Sequence, residues 1–243
     1  MRLALLLLLF ASPMVLAEPL RVMCWNIHHG QGMDRKTDLE RIAQRITEEK
    51  ADLVALQEVD KLCGRSGKVD QAVELGRLTG LTPVFGKAMD FGGGEYGLAV
   101  LSRLPVVSHR VHRLPGEGEP RIALEVTVRD GDRKLSIVSV HLDHQDDGRR
   151  IAQAKFLASA LEESPKVILC GDFNDIPGSQ PLAVFNEDWK TAQKEAPGFT
   201  YSSTAPVKEI DHALVKGLRV VGKVRVIEDR VSSDHRPFAL QIR

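Results

Sequence analysis

Two stretches of the sequence repeat the same order of apolar run, amphipathic segment and apolar run. They fall at 20–27, 37–50 and 52–58, and again at 134–142, 149–163 and 166–172. Apolar residues spaced three and four apart predict a helix, whereas a short apolar run bounded by polar residues predicts a buried strand. Because a strand–helix–strand unit packs its helix on the face of a sheet, the repeat predicts an α/β domain with two sheets covered by helices.

The segment at 37–50 shows the helical pattern clearly. Its apolar face comprises Leu39, Ile42, Ala43 and Ile46. Thr37, with Glu40 three residues later, matches a capping box, which predicts that Thr37 caps the helix.

Further strands are predicted downstream, and they outnumber the helices. They fall at 96–103, 121–128, 209–215, 219–227 and 236–242. The glycine run at 92–95 lacks the strand context of a dinucleotide-binding loop, so we interpret it as a mobile loop. Since no linker or low-complexity tract interrupts the pattern, we expect residues 18–243 to form one domain.

Residues 1–17 have the features of a secretory signal peptide. Arg2 gives a positive start, residues 3–11 form a short apolar core, and small residues precede Glu18. The core is too short for a stable membrane anchor. We expect cleavage between Ala17 and Glu18, a secreted or periplasmic protein, and no stable membrane span in the mature chain.

Charge and cysteine content limit the possible classes of protein. Lys plus Arg and Asp plus Glu both number 33, so the net charge is zero and does not favour strong, sequence-independent binding of long nucleic acid. Three cysteines, Cys24, Cys63 and Cys170, are too few for a disulfide scaffold, and one must remain unpaired within the chain. The sequence alone does not decide whether Cys24 and Cys170 form a disulfide.

Polar side chains end or interrupt most of the predicted strands. They are Asn26, Glu58, His141, Asp172, Asn174, Asp211, Asp234 and His235. Any one of them could belong to a turn or a cap. Several such positions, each next to a buried run, instead indicate a site built at the strand ends.

The residue types predict the chemistry of this site. Its carboxylate and amide oxygens suit Mg²⁺ or Mn²⁺ better than zinc. A cation held by few carboxylates keeps positions open for phosphate oxygens and can stabilise a leaving oxygen. His235 could accept a proton from attacking water if Asp211 or Asp234 fixes its tautomer. The set therefore favours displacement at phosphorus.

Seven motifs also occur in the order seen in a known family. They are CWNI, ALQEVD, YGLAVLSR, SVHLD, GDFND, IDHALV and SSDHRP. The chain thus resembles the endonuclease/exonuclease/phosphatase superfamily, the deoxyribonuclease-I-like fold, from about residue 20 to residue 242. The resemblance implies a four-layer α/β/β/α sandwich of two mixed sheets, a secreted bacterial-type member, and a site at one end of the paired sheets.

The resemblance also implies individual roles. Glu58 would be the main ligand of a Mg²⁺ or Mn²⁺ ion, with Asn26 beside it and Asp234 near the metal. Tyr96 and Arg121 match, more loosely, positions of polar contacts with substrate.

The remaining matched residues would be catalytic. His141 would donate to a phosphate oxygen, Asp172 would orient or protonate, and Asn174 would hold the phosphate or the water. Asp211 and His235 would form an acid–histidine pair. Three additional histidines near the motifs, His28, His29 and His144, are predicted to face solvent.

Other readings of the motifs are weaker. A binuclear zinc hydrolase would require a histidine where the chain has Ser139, and a dinuclear metallophosphatase would need a G-N-H-D/E motif that the sequence lacks. A non-catalytic secreted binding protein of this fold stays possible, as does a phosphomonoesterase. We expect a monomer acting on a phosphoester, preferably a phosphodiester such as nucleic acid, a lipid head group or a small diester.

Overall fold

The computed structural model describes residues 18–185 and 187–243, so the predicted signal peptide lies outside the described residues. The strands and helices occur in the following order along the chain: β1 Leu20–Asn26, α1 Leu39–Glu48, β2 Leu53–Lys61, α2 Gln71–Thr79, β3 Thr82–Phe91, β4 Gly94–Ser102, β5 Val106–Arg113, β6 Ile122–Asp130, β7 Arg133–His141, α3 Asp147–Ala160, β8 Val167–Asp172, α4 Gln180–Ala183, β9 Trp189–Thr191, β10 Asp211–Lys216, β11 Val220–Val226 and β12 Phe238–Ile242.

The strands form two six-stranded mixed sheets. The first has the order β11-β12-β1-β2-β4-β3, and the second has the order β5-β6-β7-β8-β10-β9. Each sheet contains one parallel pair, β1 with β2 and β7 with β8. These pairs are the two predicted strand–helix–strand units, because parallel neighbours need a long crossover connection, which α1 and α3 supply.

Three apolar layers hold the sheets and helices together. Between the sheets, Cys24 of the first packs in the same core as Cys170 of the second. Outside the first sheet, Ile42 of α1 packs with Trp25, and outside the second sheet, Leu157 of α3 packs with Leu169. The predicted four-layer α/β/β/α sandwich is thus confirmed. All three cysteines are free and buried, and within the described residues no helix has the length and apolar character needed to cross a membrane.

One local prediction was wrong. Asp38, not Thr37, caps α1, since its carboxylate accepts a hydrogen bond from the backbone N–H of Arg41 at 2.9 Å. Thr37 instead forms a β-bridge with Gln31. The glycine run predicted as a mobile loop contains the two-residue turn of the β3–β4 hairpin. Gly92 and Gly93 occupy it with φ of 55° and 79°, the left-handed region that such tight hairpins require.

Candidate active site

A cleft of about 550 Å³ opens where strand ends of both sheets meet. Eight of the ten predicted site residues line it: Glu58, Tyr96, Arg121, His141, Asp172, Asn174, Asp234 and His235. The other two, Asn26 and Asp211, are buried and hydrogen-bonded to Glu58 and His235 respectively. The structure therefore brings all ten together. A larger cavity of about 660 Å³, near the start of β1, contains none of them.

The first sheet contributes Asn26 and Glu58. Asn26 ends β1, and its side-chain N–H donates to Glu58 Oε1 at 3.0 Å and to Asp172 Oδ2 at 3.1 Å. Glu58 lies in a β-bulge, where the pairing of β2 with β4 shifts register between Leu56 and Val59, and its φ is 56°. Because a bulge re-aims side chains, this irregularity explains how the carboxylate of a strand residue turns into the cleft.

The second sheet contributes three residues side by side. In the register of the sheet, His141 of β7 is the partner of Asp172 of β8, which is in turn the partner of Asp211 of β10. His235 reaches them from the segment before β12 of the first sheet. Its Nδ1 lies 2.9 Å from Asp211 Oδ2, and its Nε2 lies 3.6 Å from Asp172 Oδ2. An acid–histidine pair thus spans the two sheets.

The protonation of this buried group follows from its charges. Burial lowers the pKa of His235, but Asp211 and Asp172 outweigh it and raise that pKa to about 10. Burial raises the pKa of Asp172 to about 7, although the positive charge of His235 opposes the shift. Burial likewise acts to raise the pKa of Asp211, but His235 and its hydrogen bond lower it below the usual range. At neutral pH, His235 therefore carries a proton between the two carboxyl groups.

Arg121 determines the tautomers of two histidines. Its guanidinium donates to His141 Nδ1 at 3.1 Å and to His144 Nδ1 at 2.9 Å. An arginine can only donate, so both Nδ1 atoms accept, and a neutral ring then carries its proton on Nε2. Burial, together with the charge of Arg121, lowers the pKa of His141 well below its usual value. His141 is therefore a neutral donor, with Nε2 at 3.5 Å from Asp172.

Asn174 and Tyr96 present polar groups to the same cleft. The backbone N–H of Asn174 donates to Asp172 Oδ1 at 2.9 Å, and its side-chain N–H donates to the carbonyl of Leu142 at 3.1 Å. The amide oxygen of Asn174 is thereby left to accept from a water or a substrate. Burial, aided by the charge of Glu58, raises the pKa of Tyr96 well above its usual value, so its hydroxyl keeps its proton.

Some cleft residues were not predicted as site residues. Tyr201 packs its ring 4.9 Å from that of His235, and Lys208 and Arg65 also line the cleft. Arg65 lies in a loop that also carries the basic residues Lys61 and Lys68, a signal that could have marked it, whereas the segment with Tyr201 and Lys208 has no apolar periodicity that could do so. The prediction that His29 faces solvent was wrong, because this residue is only 8% exposed.

Comparison with known proteins identifies the family. The model of the endonuclease/exonuclease/phosphatase family matches residues 23–235, which is most of the chain. The chain belongs to this family. Members hydrolyse phosphoesters and generally use divalent metals, so the protein is a hydrolase of the endonuclease/exonuclease/phosphatase superfamily. No curated protein matches the sequence.

Solved structures agree with this assignment. An endonuclease/exonuclease/phosphatase from Beutenbergia cavernae is 25% identical, with a TM-score of 0.79 over 93% of this chain and 72% of that chain. The Bacteroides thetaiotaomicron mannosyl-6-phosphatase is 18% identical, with a TM-score of 0.77 over 92% and 99% of the two chains. The human Nocturnin catalytic domain is 21% identical, with a TM-score of 0.70 over 93% and 94%. The last two comparisons show the shared fold alone.

Proposed function

We propose that the protein is a Mg²⁺- or Mn²⁺-dependent phosphodiesterase. The observation that carries the proposal is the buried Asp211–His235 pair, which lies beside Asp172 in the cleft that Glu58 also lines. A histidine oriented by a carboxylate is the usual device for moving the proton of an attacking water. The oxygen groups opposite it provide for the cation that this family generally uses.

The side chains fit a hard cation. Glu58, Asn26 and Asp234 would hold it, since Glu58 Oε1 already accepts from Asn26 and Oε2 stays available on the cleft side. When bound, the cation would act as a Lewis acid that stabilises charge on the leaving oxygen. His141 would donate its Nε2–H to a phosphate oxygen, and Asn174 would position the phosphate or the water.

Proton transfer can be assigned to three buried groups. To act as a base, His235 would first pass its Nε2 proton to Asp172, whose Oδ2 lies 3.6 Å away; this transfer runs uphill, because the pKa of His235 is about 10 and that of Asp172 is about 7. The neutral imidazole that results, still held at Nδ1 by Asp211, would then accept the proton of the attacking water.

Charged groups of both signs line the cleft. Four carboxyl groups line it: Glu58, Glu119, Asp172 and Asp234. They face the three permanent cations Arg65, Arg121 and Lys208 and the protonated ring of His235. With the proposed metal ion bound, such a cleft would accept an anionic phosphoester, and the substrate panel distinguishes a diester from a monoester.

Hydrolysis of a mixed panel by the purified mature chain tests this proposal. The panel comprises plasmid, single-stranded DNA, RNA, sphingomyelin, phosphatidylinositol phosphates, bis-p-nitrophenyl phosphate and p-nitrophenyl phosphate, each with Mg²⁺, with Mn²⁺ and with EDTA. We expect metal-dependent cleavage of a diester. Cleavage of the monoester alone would establish a phosphomonoesterase instead. A folded protein that leaves the whole panel intact would support the non-catalytic alternative.

We also propose that the protein is exported and cleaved after Ala17. Support comes from Arg2, the apolar core at 3–11 and the small residues before Glu18. Mass spectrometry of the protein recovered from a host with a functional export pathway should give a mature N-terminus at Glu18. Recovery of the chain with residues 1–17 still attached, from the cytoplasm, would contradict the prediction.

A further inference from the structure

A pair of histidines lies against Glu58 at the edge of the cleft. His28 and His29 form a single 3₁₀ turn directly after β1. One potential ligand atom from each histidine and one from Glu58 all lie within 4.8 Å of one another. Neither imidazole has a place in the hydrolytic scheme above, so the role of both rings is unassigned.

The hydrogen bonding of His28 prepares it to bind a cation. Its Nδ1 lies 3.3 Å from the backbone carbonyl of Gln31, which can only accept, so Nδ1 donates. In a neutral ring, Nε2 then carries the free lone pair. Histidines that bind metals usually have this arrangement, with the second ring nitrogen donating to a carbonyl or a carboxylate. His28 Nδ1 is also 4.0 Å from Asp234, a carboxylate of the same cleft.

His29 is a buried histidine, one of whose ring nitrogens lacks a hydrogen-bond partner in the described part of the chain. The residue is 8% exposed, and its Nδ1 is inaccessible to solvent and has no hydrogen-bond partner within the described part of the chain. Buried polar atoms in native proteins are normally paired, so the unpaired Nδ1 of a histidine that lies near Glu58 calls for a partner. A metal cation in this position would supply one.

The backbone conformation of these residues is a second sign of a functional site. His28 and His29 have φ of 46° and 45°, and Glu58 has φ of 56°. Residues other than glycine adopt this left-handed region at an energetic cost, and such strain concentrates at functional sites. Three residues with left-handed backbone, from two segments, thus bring potential ligand atoms within 4.8 Å of one another.

We propose that His28, His29 and Glu58 form a transition-metal site. The inference builds on the proposed function, because the cation would use the same Glu58 carboxylate, but it assigns two nitrogen ligands beyond the oxygen set. Imidazole suits later transition metals such as Co²⁺, Cu²⁺ and Zn²⁺, whereas Mg²⁺ and Mn²⁺ prefer oxygen ligands and water. The site should therefore select a transition-metal dication over Mg²⁺.

Direct metal binding tests the site without reference to catalysis. The mature protein, stripped of metal, would be titrated with Co²⁺ while the visible absorption of the bound ion is recorded. The titration would then be repeated with Mg²⁺ present as a competitor. We expect Co²⁺ to bind at least about 100-fold more tightly than Mg²⁺. Cu²⁺ bound to the protein should show electron spin-echo modulation from imidazole ¹⁴N.

Variants locate the ligands. The double variant His28→Asn/His29→Asn should weaken Co²⁺ binding at least about 10-fold and lose the ¹⁴N modulation, while Mg²⁺ binding changes less than about threefold. The single variant His28→Asn, at a partly exposed residue, should show a smaller loss and guards against misfolding of the double variant. His109→Asn, at an exposed histidine of β5, is the matched control and should bind as the unmodified chain does.

The outcomes separate this inference from the proposed function. Unchanged Co²⁺ affinity and ¹⁴N modulation in the histidine variants would overturn the site, even if the protein hydrolyses phosphodiesters with Mg²⁺. Equal affinity of the unmodified chain for Co²⁺ and Mg²⁺ would overturn it too. Histidine-dependent Co²⁺ binding by a protein that cleaves nothing in the panel would support the site while the hydrolytic proposal fails.

Discussion

Replacing His235 with alanine is expected to lower kcat for phosphoester hydrolysis at least about 10³-fold. The substitution removes the ring that bridges Asp211 and Asp172 and, with it, the proposed acceptor for the proton of the attacking water. KM should change little, because His235 contributes to proton transfer more than to binding of the ground state. Steady-state kinetics on the best substrate of the panel would measure both constants.

A second histidine provides the matched control. His212 follows Asp211 on β10 and is buried like His235, but it does not line the cleft. Its Nε2 donates a hydrogen bond to the backbone carbonyl of Asp175 at 2.7 Å. His212→Asn should lower thermal stability but leave kcat within a few-fold of the unmodified enzyme. If His235→Ala retained a rate within tenfold of the unmodified enzyme, the acid–histidine pair would not be the catalytic group.

Removal of the charge at Glu58 is the second large effect that we expect. Glu58→Gln keeps an oxygen that can accept from Asn26, so the local hydrogen bond survives while the carboxylate is lost. Since this carboxylate would be the main ligand of the cation, kcat/KM at a fixed Mg²⁺ or Mn²⁺ concentration should fall at least about 10²-fold. EDTA should abolish activity of the unmodified enzyme, and added Mn²⁺ or Mg²⁺ should restore it.

The control for this variant is a carboxylate outside the cleft lining. Glu95 on β4 pairs with Lys61 and Lys87, and Glu95→Gln removes the same charge from the same sheet. Its activity and metal dependence should match those of the unmodified enzyme. Full activity of Glu58→Gln, or of the unmodified enzyme in EDTA, would remove the metal from the mechanism.

The sequence predicts the positions of the site because its polar residues interrupt strongly apolar runs. Asp172 of GDFND and His141 of SVHLD are the last residues of β8 and β7, and the parallel pairing of these strands makes the two residues neighbours. Their meeting follows from strand order alone. The pairing with His235 does not, since it depends on how closely the two sheets pack, and no local pattern encodes that distance.

The apolar pattern of the sequence predicts neither the protonation states of the site residues nor the strand at the edge of the first sheet. The pKa of Asp172 depends on burial and on charges from His235 and Asp211, which are far away in sequence. The strand β3 was not predicted, because Pro83 and Gly86 interrupt its apolar character and it lies at an edge of its sheet, where proline is tolerated. Likewise, only the fold shows that His29 is covered.

The position of β12 in the first sheet ties the site to a strand that lies far along the sequence from β1. β12 lies between β11 and β1, and Leu20 pairs with Ile242, so residues more than 200 positions apart are neighbours in the folded state. His235 lies just before this strand. A chain cut before His235 would therefore lack both an interior strand of the sheet and the proposed catalytic imidazole. We expect such a fragment to have no hydrolytic activity.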